Sequence, residues 1–551
     1  MTLSVEDLLA EGRGALRAGD AAVARGAFEQ VLARKPSGDA IEGMARASYL
    51  ELDFRPAIEE WERAYAAHRD AADQVGSVRV ARTLACMYGV ILGEWAVAAG
   101  WLARAQTLLV DAPDSSEPGW VSLNIGMFEA NRSRKHERFG EALDVARRQG
   151  DTDLELVTLA YLGASLVHAD RVEEGMMLLD EALAAVAGGE VDDFLVLEEI
   201  FCQLFSACEQ THDVTRADQW IRIGDAIAQR RKLPAVSGFC RTHYGGVLTA
   251  AGRWPEADAT LTEAVRLWGL GQRSFLRGGA LARLADLRVR QGRFEEAEQL
   301  LDGIDVHTDV DAARPLAAIY LARGEAALAR DILEQALARV EPESTAAASL
   351  LSLLVDVHLA GDLLDEAEIA AEQLARCAAR HSSHYMMAIA ALARGRVCLA
   401  TGSGDPQACL RDALAGFARA QLPMELARSR LELASALVND RPEVAIAEAR
   451  AALESFEKLQ AARDVDAAAA VLRLLGIRAR TTKKGGGLLT KREGEVLELL
   501  GHGLSNPEIS DRLFISRKTV EHHVGNVLGK LGLRSRAEAA AYAARSKPGA
   551  V

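Results

Sequence analysis

Ser505, Asn506, Arg517, Lys518, Thr519, Glu521 and His522 are hydrogen-bonding and charged side chains gathered near the end of the chain, with no nucleophile motif beside them. The chemistry open to them is recognition rather than bond breaking. Arg517 and Lys518 stand at the start of a helical pattern, where cations oppose the helix dipole and call for an external anion. Phosphate oxygens fit that need: Arg517, Lys518 and Thr519 are placed to meet them, together with the N-terminus of the preceding helix around Ser505 and Asn506. Glu521 can accept from a cytosine amino group, and His522 can donate to a purine edge. The adjacent His522 and His523 do not read as metal ligands, because neighbouring helix residues point about 100° apart. The expected partner is double-stranded DNA, with no cofactor and no metal.

Positioning those side chains requires short helices with firm starts. Thr490 with Glu493, Ser505 with Glu508 and Ser535 with Glu538 fit the capping box, and Ser516 supplies a fourth N-cap. The second helix is expected from about Asn506 to Leu513 and the third from Arg517, with Phe514, Ile515 and Ser516 as a tight turn. A turn that short makes the two helices cross steeply, as in a helix-turn-helix. Val520, Val524, Val527, Leu528 and Leu531 form an inward apolar stripe. Lys518, Glu521, His522 and Gly525 fall on the opposite face, the one that enters a major groove.

The run Leu489–Arg545 resembles the LuxR-type (GerE-type) DNA-binding domain. The resemblance rests on Leu489-Thr490, Arg492-Glu493, Glu495-Val496-Leu497, Gly503-Leu504-Ser505-Asn506, Glu508-Ile509, Leu513, Ile515-Ser516, Thr519-Val520, His523, Asn526, Lys530-Leu531-Gly532 and Arg536, matched without gaps. It implies a four-helix domain of a transcriptional regulator. His523, Asn526 and Lys530 then face the DNA backbone or brace the reading helix. The last helix, Arg536 to Arg545, becomes a dimerising surface, with Ala540 and Ala544 small enough for close packing. Two residues depart from the pattern. Pro507 sits early in helix two, where a missing N–H is tolerated. Gly525 stands where the family often carries a longer base-reading side chain.

The resemblance covers only about the last 60 of 551 residues. Charge separates that segment from the rest. Residues 481–551 hold twelve basic and seven acidic side chains, net +5, which leaves −20 of the total −15 on residues 1–480. A polyanion repels the body and attracts the tail. The acidic start Met1–Gly14 has no apolar leader, and no apolar run is long enough to span a bilayer. Seven cysteines without a C-x-x-C pair read as reduced core residues of a cytosolic protein, here a bacterial one associated with the nucleoid when bound to DNA.

A low aromatic content of 5% and few prolines favour helix throughout. The body repeats a hairpin signature, seen in Gly252-Arg-Trp-Pro-Glu-Ala257, Gly292-Arg-Phe-Glu-Glu-Ala297, Gly324-Glu-Ala-Ala-Leu-Ala329 and Gly361-Asp-Leu-Leu-Asp-Glu-Ala367. These starts lie 40, 32 and 37 residues apart. The spacing brackets the tetratricopeptide period of about 34 residues without holding it, and resembles a degenerate TPR array of roughly eleven or twelve helix pairs. Such hairpins stack into a superhelix with a long concave surface, where a protein, peptide or small ligand docks. The tryptophans at 61, 95, 101, 120, 220, 254 and 268 read as core or groove packing rather than as a ligand box.

The expected fold is therefore all-α: a TPR-like α-solenoid over 1–477, a basic, glycine-rich linker over 478–487, and a four-helix LuxR-type helix-turn-helix domain over 488–551. No phosphate loop, G-x-S-x-G or H-E-x-x-H occurs, so no catalytic residue is named and no NTPase module accompanies the array. The expected function is sequence-specific transcriptional regulation with the array as a partner- or ligand-sensing module. The alternative is an interaction scaffold whose C-terminal domain serves dimerisation.

Overall fold

The computed structural model describes residues 3–477 except 111–113, 130, 170, 270–274, 305–308 and 381–382. In the C-terminal segment it describes 491–513, 517, 520, 523–525, 527–528 and 536–545. Among these residues there is no strand, and no helix is long and apolar enough to cross a membrane. The chain divides into two compact units, Met1–Ser455 and Phe456–Val551. The division falls within the helix Pro442–Leu459, ahead of the expected linker 478–487, which lies outside the described residues.

Twenty-five α-helices run between Val5 and Leu474 among the described residues. Consecutive helices pair as antiparallel hairpins, such as Gly38–Leu50 with Phe54–Asp70 and Pro234–Ala250 with Trp254–Trp268. From Val5–Arg17 as far as Pro423–Leu437, the first helix of one hairpin also packs on the first helix of the next, which produces an inner layer. Local sequence explains the joints. Gly252 (φ +75°) and Gly292 (φ +77°) take the left-handed conformation that closes a helix and reverses the chain, at no steric cost. Ala257, Ala297 and Ala367 are fully buried at the start of the second helices, where a side chain no larger than methyl lets the backbones approach.

The inner layer departs from an open concave groove. Helices far apart in sequence meet across the superhelix axis. Tyr49 donates to Glu198 Oε2 at 2.9 Å, and Arg46 Nη1 to Asp193 Oδ2 at 2.9 Å, joining Gly38–Leu50 to the start of Phe194–Thr211. The Arg231 guanidinium donates to the Arg17 carbonyl at 2.9 Å. Arg290 Nη1 reaches Glu425 Oε1 at 2.7 Å, and His212 meets the Tyr385 ring edge-on at 4.6 Å. These contacts cover part of the expected docking surface with the array's own residues. One cavity, of about 560 Å³, lies in the first half of the array, lined by residues between Arg46 and Gln203.

Charged groups in this layer come as networks. Asp39, Glu42 and His68 place potential metal-ligand atoms within 4.8 Å of one another, but Arg79 donates to both carboxylates, to Glu42 at 2.8 Å and to Asp39 at 3.3 Å. The cluster is an ion-pair network with its own cation. A second network joins Arg283 to Glu209 at 2.8 Å, Glu209 to His243 Nδ1 at 2.7 Å, and His243 Nε2 to the Cys202 sulfur at 3.9 Å. Burial opposes the charge on His243, but the bonds to Cys202 and Glu209 outweigh it and raise its pKa to about 9. The folded value lies above the ~6.5 of an unfolded histidine. Its stabilisation is therefore complete below about pH 6.5 and is lost as the pH rises towards 9. The melting temperature of wild type should exceed that of His243→Gln by a margin that shrinks across this window. A margin independent of pH would show that the ring carries no charge.

Candidate nucleic-acid interface

The C-terminal domain is built around one small core. Val496, Leu497 and Leu500 from the helix Lys491–Gly501 meet Ile509 from Asn506–Leu513, Val520 and Val527 from the following helical residues, and Ala539 from Arg536–Arg545. Val524, Leu528, Tyr542 and Ala543 pack against this cluster from its edge. Val520 and Val527 are fully buried, whereas Arg517 and Gly525 are exposed. The period of the stripe thus turns one face of this segment to the core and the other to solvent. A Cβ added at Gly525 would meet nothing within 4 Å, so the position is open to any side chain.

Two turns set the angle between elements. Gly503 (φ +80°) closes the helix Lys491–Gly501 and turns the chain into Ser505. The Glu508 carboxylate then accepts from the backbone N–H and from the hydroxyl of Ser505, each at 2.6 Å, which is the carboxylate half of the expected capping box. These bonds, the hydroxyl's first, hold the Glu508 carboxyl below its usual range. The boxes headed by Thr490 and Ser535 and the cap at Ser516 lie outside the described residues.

Of the residues named for DNA contact, four are described. Ser505 and Arg517 are exposed; Asn506 and His523 are half-buried. Lys518, Thr519, Glu521, His522, Asn526 and Lys530 lie outside the described residues. Asn506 has a partner that its place at a helix N-terminus did not reveal: its Oδ1 accepts from Arg536 Nη1 at 2.6 Å. The same guanidinium donates to the Leu504 carbonyl. Arg536 therefore clamps the start of Asn506–Leu513 to the last helix, a role its spacing from Asn506 could not show. The last helix also approaches Gly501 closely, since a Cβ there would lie 2.7 Å from that of Ala543. Ala539, Tyr542 and Ala543 thus commit one side of Arg536–Arg545 to its own domain.

Residues 487–543 match the family described as bacterial regulatory proteins, luxR family. The transcriptional regulatory protein LnrK of Bacillus subtilis (strain 168) is 51% identical over 57 residues, which are 10% of this chain and 26% of LnrK. The oxygen regulatory protein NreC of Staphylococcus aureus (strain JH9) is 47% identical over 60 residues, 11% of this chain and 28% of NreC. The chain thus spans little more than a quarter of the length of these relatives. Among solved structures, the APC/C hetero-tetramer Cut9-Hcn1 aligns over 84% of this chain and 96% of the other, with 13% identity and a TM-score of 0.34. The C-terminal segment of this chain is a LuxR-type DNA-binding domain of the bacterial regulatory proteins.

Proposed function

We propose that the chain is a sequence-specific transcriptional regulator that acts by binding and performs no chemistry, with an array (1–477) joined by a basic linker (478–487) to the DNA-binding domain (488–551). The observation that carries this reading is the division of faces on the segment after Leu513: Val520 and Val527 in the core, Arg517 and Gly525 in solvent. The opposite charges of body and tail support it, since only the tail attracts a polyanion. In this reading Arg517, Lys518 and Thr519 meet phosphates, with Ser505 and Asn506, while Glu521 and His522 read base edges. His523, Asn526 and Lys530 hold or brace the backbone contact. Two copies act together on a two-fold site through Arg536–Arg545, using the side of that helix opposite Ala539 and Ala543. The array senses a ligand or partner and sets when the domain binds.

Binding of the full chain to duplexes at several salt concentrations tests the assignment. Lys518→Ala should weaken binding to every sequence and lower the salt slope by about one. Glu521→Ala should keep the slope and relax preference at one base position. An unchanged slope in Lys518→Ala would remove that residue from the phosphate set.

A further inference from the structure

The cavity in the first half of the array, about 560 Å³, falls in the range of small-molecule sites. Its apolar wall includes Met87, Ile91, Trp95 and Phe128, with the last two rings edge to face at 5.8 Å. Its polar wall carries two buried oxygens with nothing to bond. Glu198 is 2% exposed; its Oε2 accepts from Tyr49, and its Oε1 has no partner. Asn124 is 3% exposed; its Nδ2 points to the Cys86 sulfur at 3.1 Å, and its Oδ1 has no partner. Asn124 Oδ1 is an acceptor, Glu198 Oε1 becomes one when its carboxyl ionises, and a buried acceptor left unmade is costly. What they lack is a donor.

The charge balance points the same way. Arg46 is bonded to Asp193, and Arg82 to Glu117 at 2.8 Å, whereas Glu198 and Glu199 have no ion-pair partner among the described residues. Burial holds Glu198 well above the usual carboxylate range and raises Glu199 to about 7, against the opposing charge of Arg82 and a hydrogen bond with Tyr161. Both carboxyls therefore hold their protons more readily than a free carboxyl, and a bound cation would favour their ionised form. The aromatic lining tolerates a cation, as the Arg82 guanidinium 4.4 Å from the Trp120 ring centroid demonstrates.

We propose that this cavity binds a protonated amine carried on an apolar, aromatic body, with its N–H groups on Glu198 Oε1 and Asn124 Oδ1 and its body against Trp95 and Phe128. Trp95 and Trp120 are then ligand-facing, in contrast to the packing role that sequence alone assigns them. The inference rests on the sensing role given to the array only for its consequence at DNA, since binding itself stands independently.

Calorimetry on the full chain with 4-phenylbutylamine, 4-phenylbutan-1-ol and 4-phenylbutyrate, which share a body and differ in the head group, tests the site. The amine should bind about tenfold or more tighter than the alcohol, and the carboxylate weakest. Glu198→Gln, isosteric and without charge, should bring the amine-to-alcohol ratio to within about twofold at an unchanged melting temperature. Trp95→Ala, a side chain already 52% exposed, should weaken amine and alcohol alike. Equal affinity of amine and alcohol, a preference that survives both Glu198→Gln and Glu199→Gln, or no binding of any probe would overturn the assignment. Duplex affinity measured with and without saturating amine separates the two readings. Amine binding that leaves duplex affinity unchanged retains the cavity and removes its sensing role, while failure of the probes removes the cavity and leaves sensing to another ligand.

Discussion

Val520→Asp is expected to abolish duplex binding by the full chain, by more than a hundredfold, while the array keeps its own unfolding transition. Val520 is fully buried among Val496, Leu497, Leu500, Ile509, Val527 and Ala539, with no cation in that cluster. Placing an ionised carboxylate there costs several kcal/mol. A domain of this size holds only about 3–5 kcal/mol of core stability, so the substitution consumes most or all of it. Arg517→Ala makes the contrast. That side chain is exposed and leaves the core intact, so it should weaken binding without shifting any melting transition. Fluorescence anisotropy with a labelled duplex, read beside circular dichroism, checks both. Val520→Asp binding within tenfold of wild type would mean that the core does not position the reading face.

The second large effect is expected at Arg290. This guanidinium is 13% exposed and bridges Asp286 on its own helix, at 2.7 Å, to Glu425 across the superhelix axis. Burial raises the pKa of Glu425, but the charge and hydrogen bond of Arg290 outweigh it and leave the carboxyl below its ordinary value. Arg290→Ala removes that partner. Asp286 keeps Arg314, whereas Glu425, only 18% exposed and already with one unbonded oxygen, keeps only the weaker influence of the Arg428 charge. Breaking a buried pair from one side costs about 3–5 kcal/mol. The array's urea midpoint should fall accordingly, and Arg290→Met with Glu425→Met should recover most of the loss, because the stranded charge is then gone. A double variant no more stable than Arg290→Ala would place the damage in packing rather than in charge.

The DNA-binding domain was the legible part of this chain because its rules are local. A hydroxyl three residues before a carboxylate marks the Ser505 start, and a helical stripe puts Val520 and Val527 inside whatever the rest of the protein does. Arg536 was legible as a family residue but not as a clamp, since its partners Leu504 and Asn506 are brought to it only by tertiary folding. The repeat was half-legible for a backbone reason. Where the left-handed joint falls on Gly252 or Gly292, the eye finds it. The same conformation at Leu52, Ala72, Asp362 and Gln421 has no sequence signal and goes unseen. At the Gly361 copy the left-handed residue is Asp362 (φ +58°), one position later than the glycine. The cross-axis contacts were out of reach. They depend on small rotations summed over several hairpins, which no local pattern encodes.

Those cross-axis contacts bear on how this protein can change over generations. Open solenoids gain and lose units freely, since each repeat answers only to its neighbours. Here an extra hairpin of about 34 residues inserted between Tyr49 and Glu198 would carry the two apart, stranding an acid in the interior and leaving Asp193 without Arg46. The stretch from Arg290 to Glu425 is tied in the same way. Within these spans the number of hairpins is fixed by closure, and variation must proceed by exchange of side chains rather than by duplication of units.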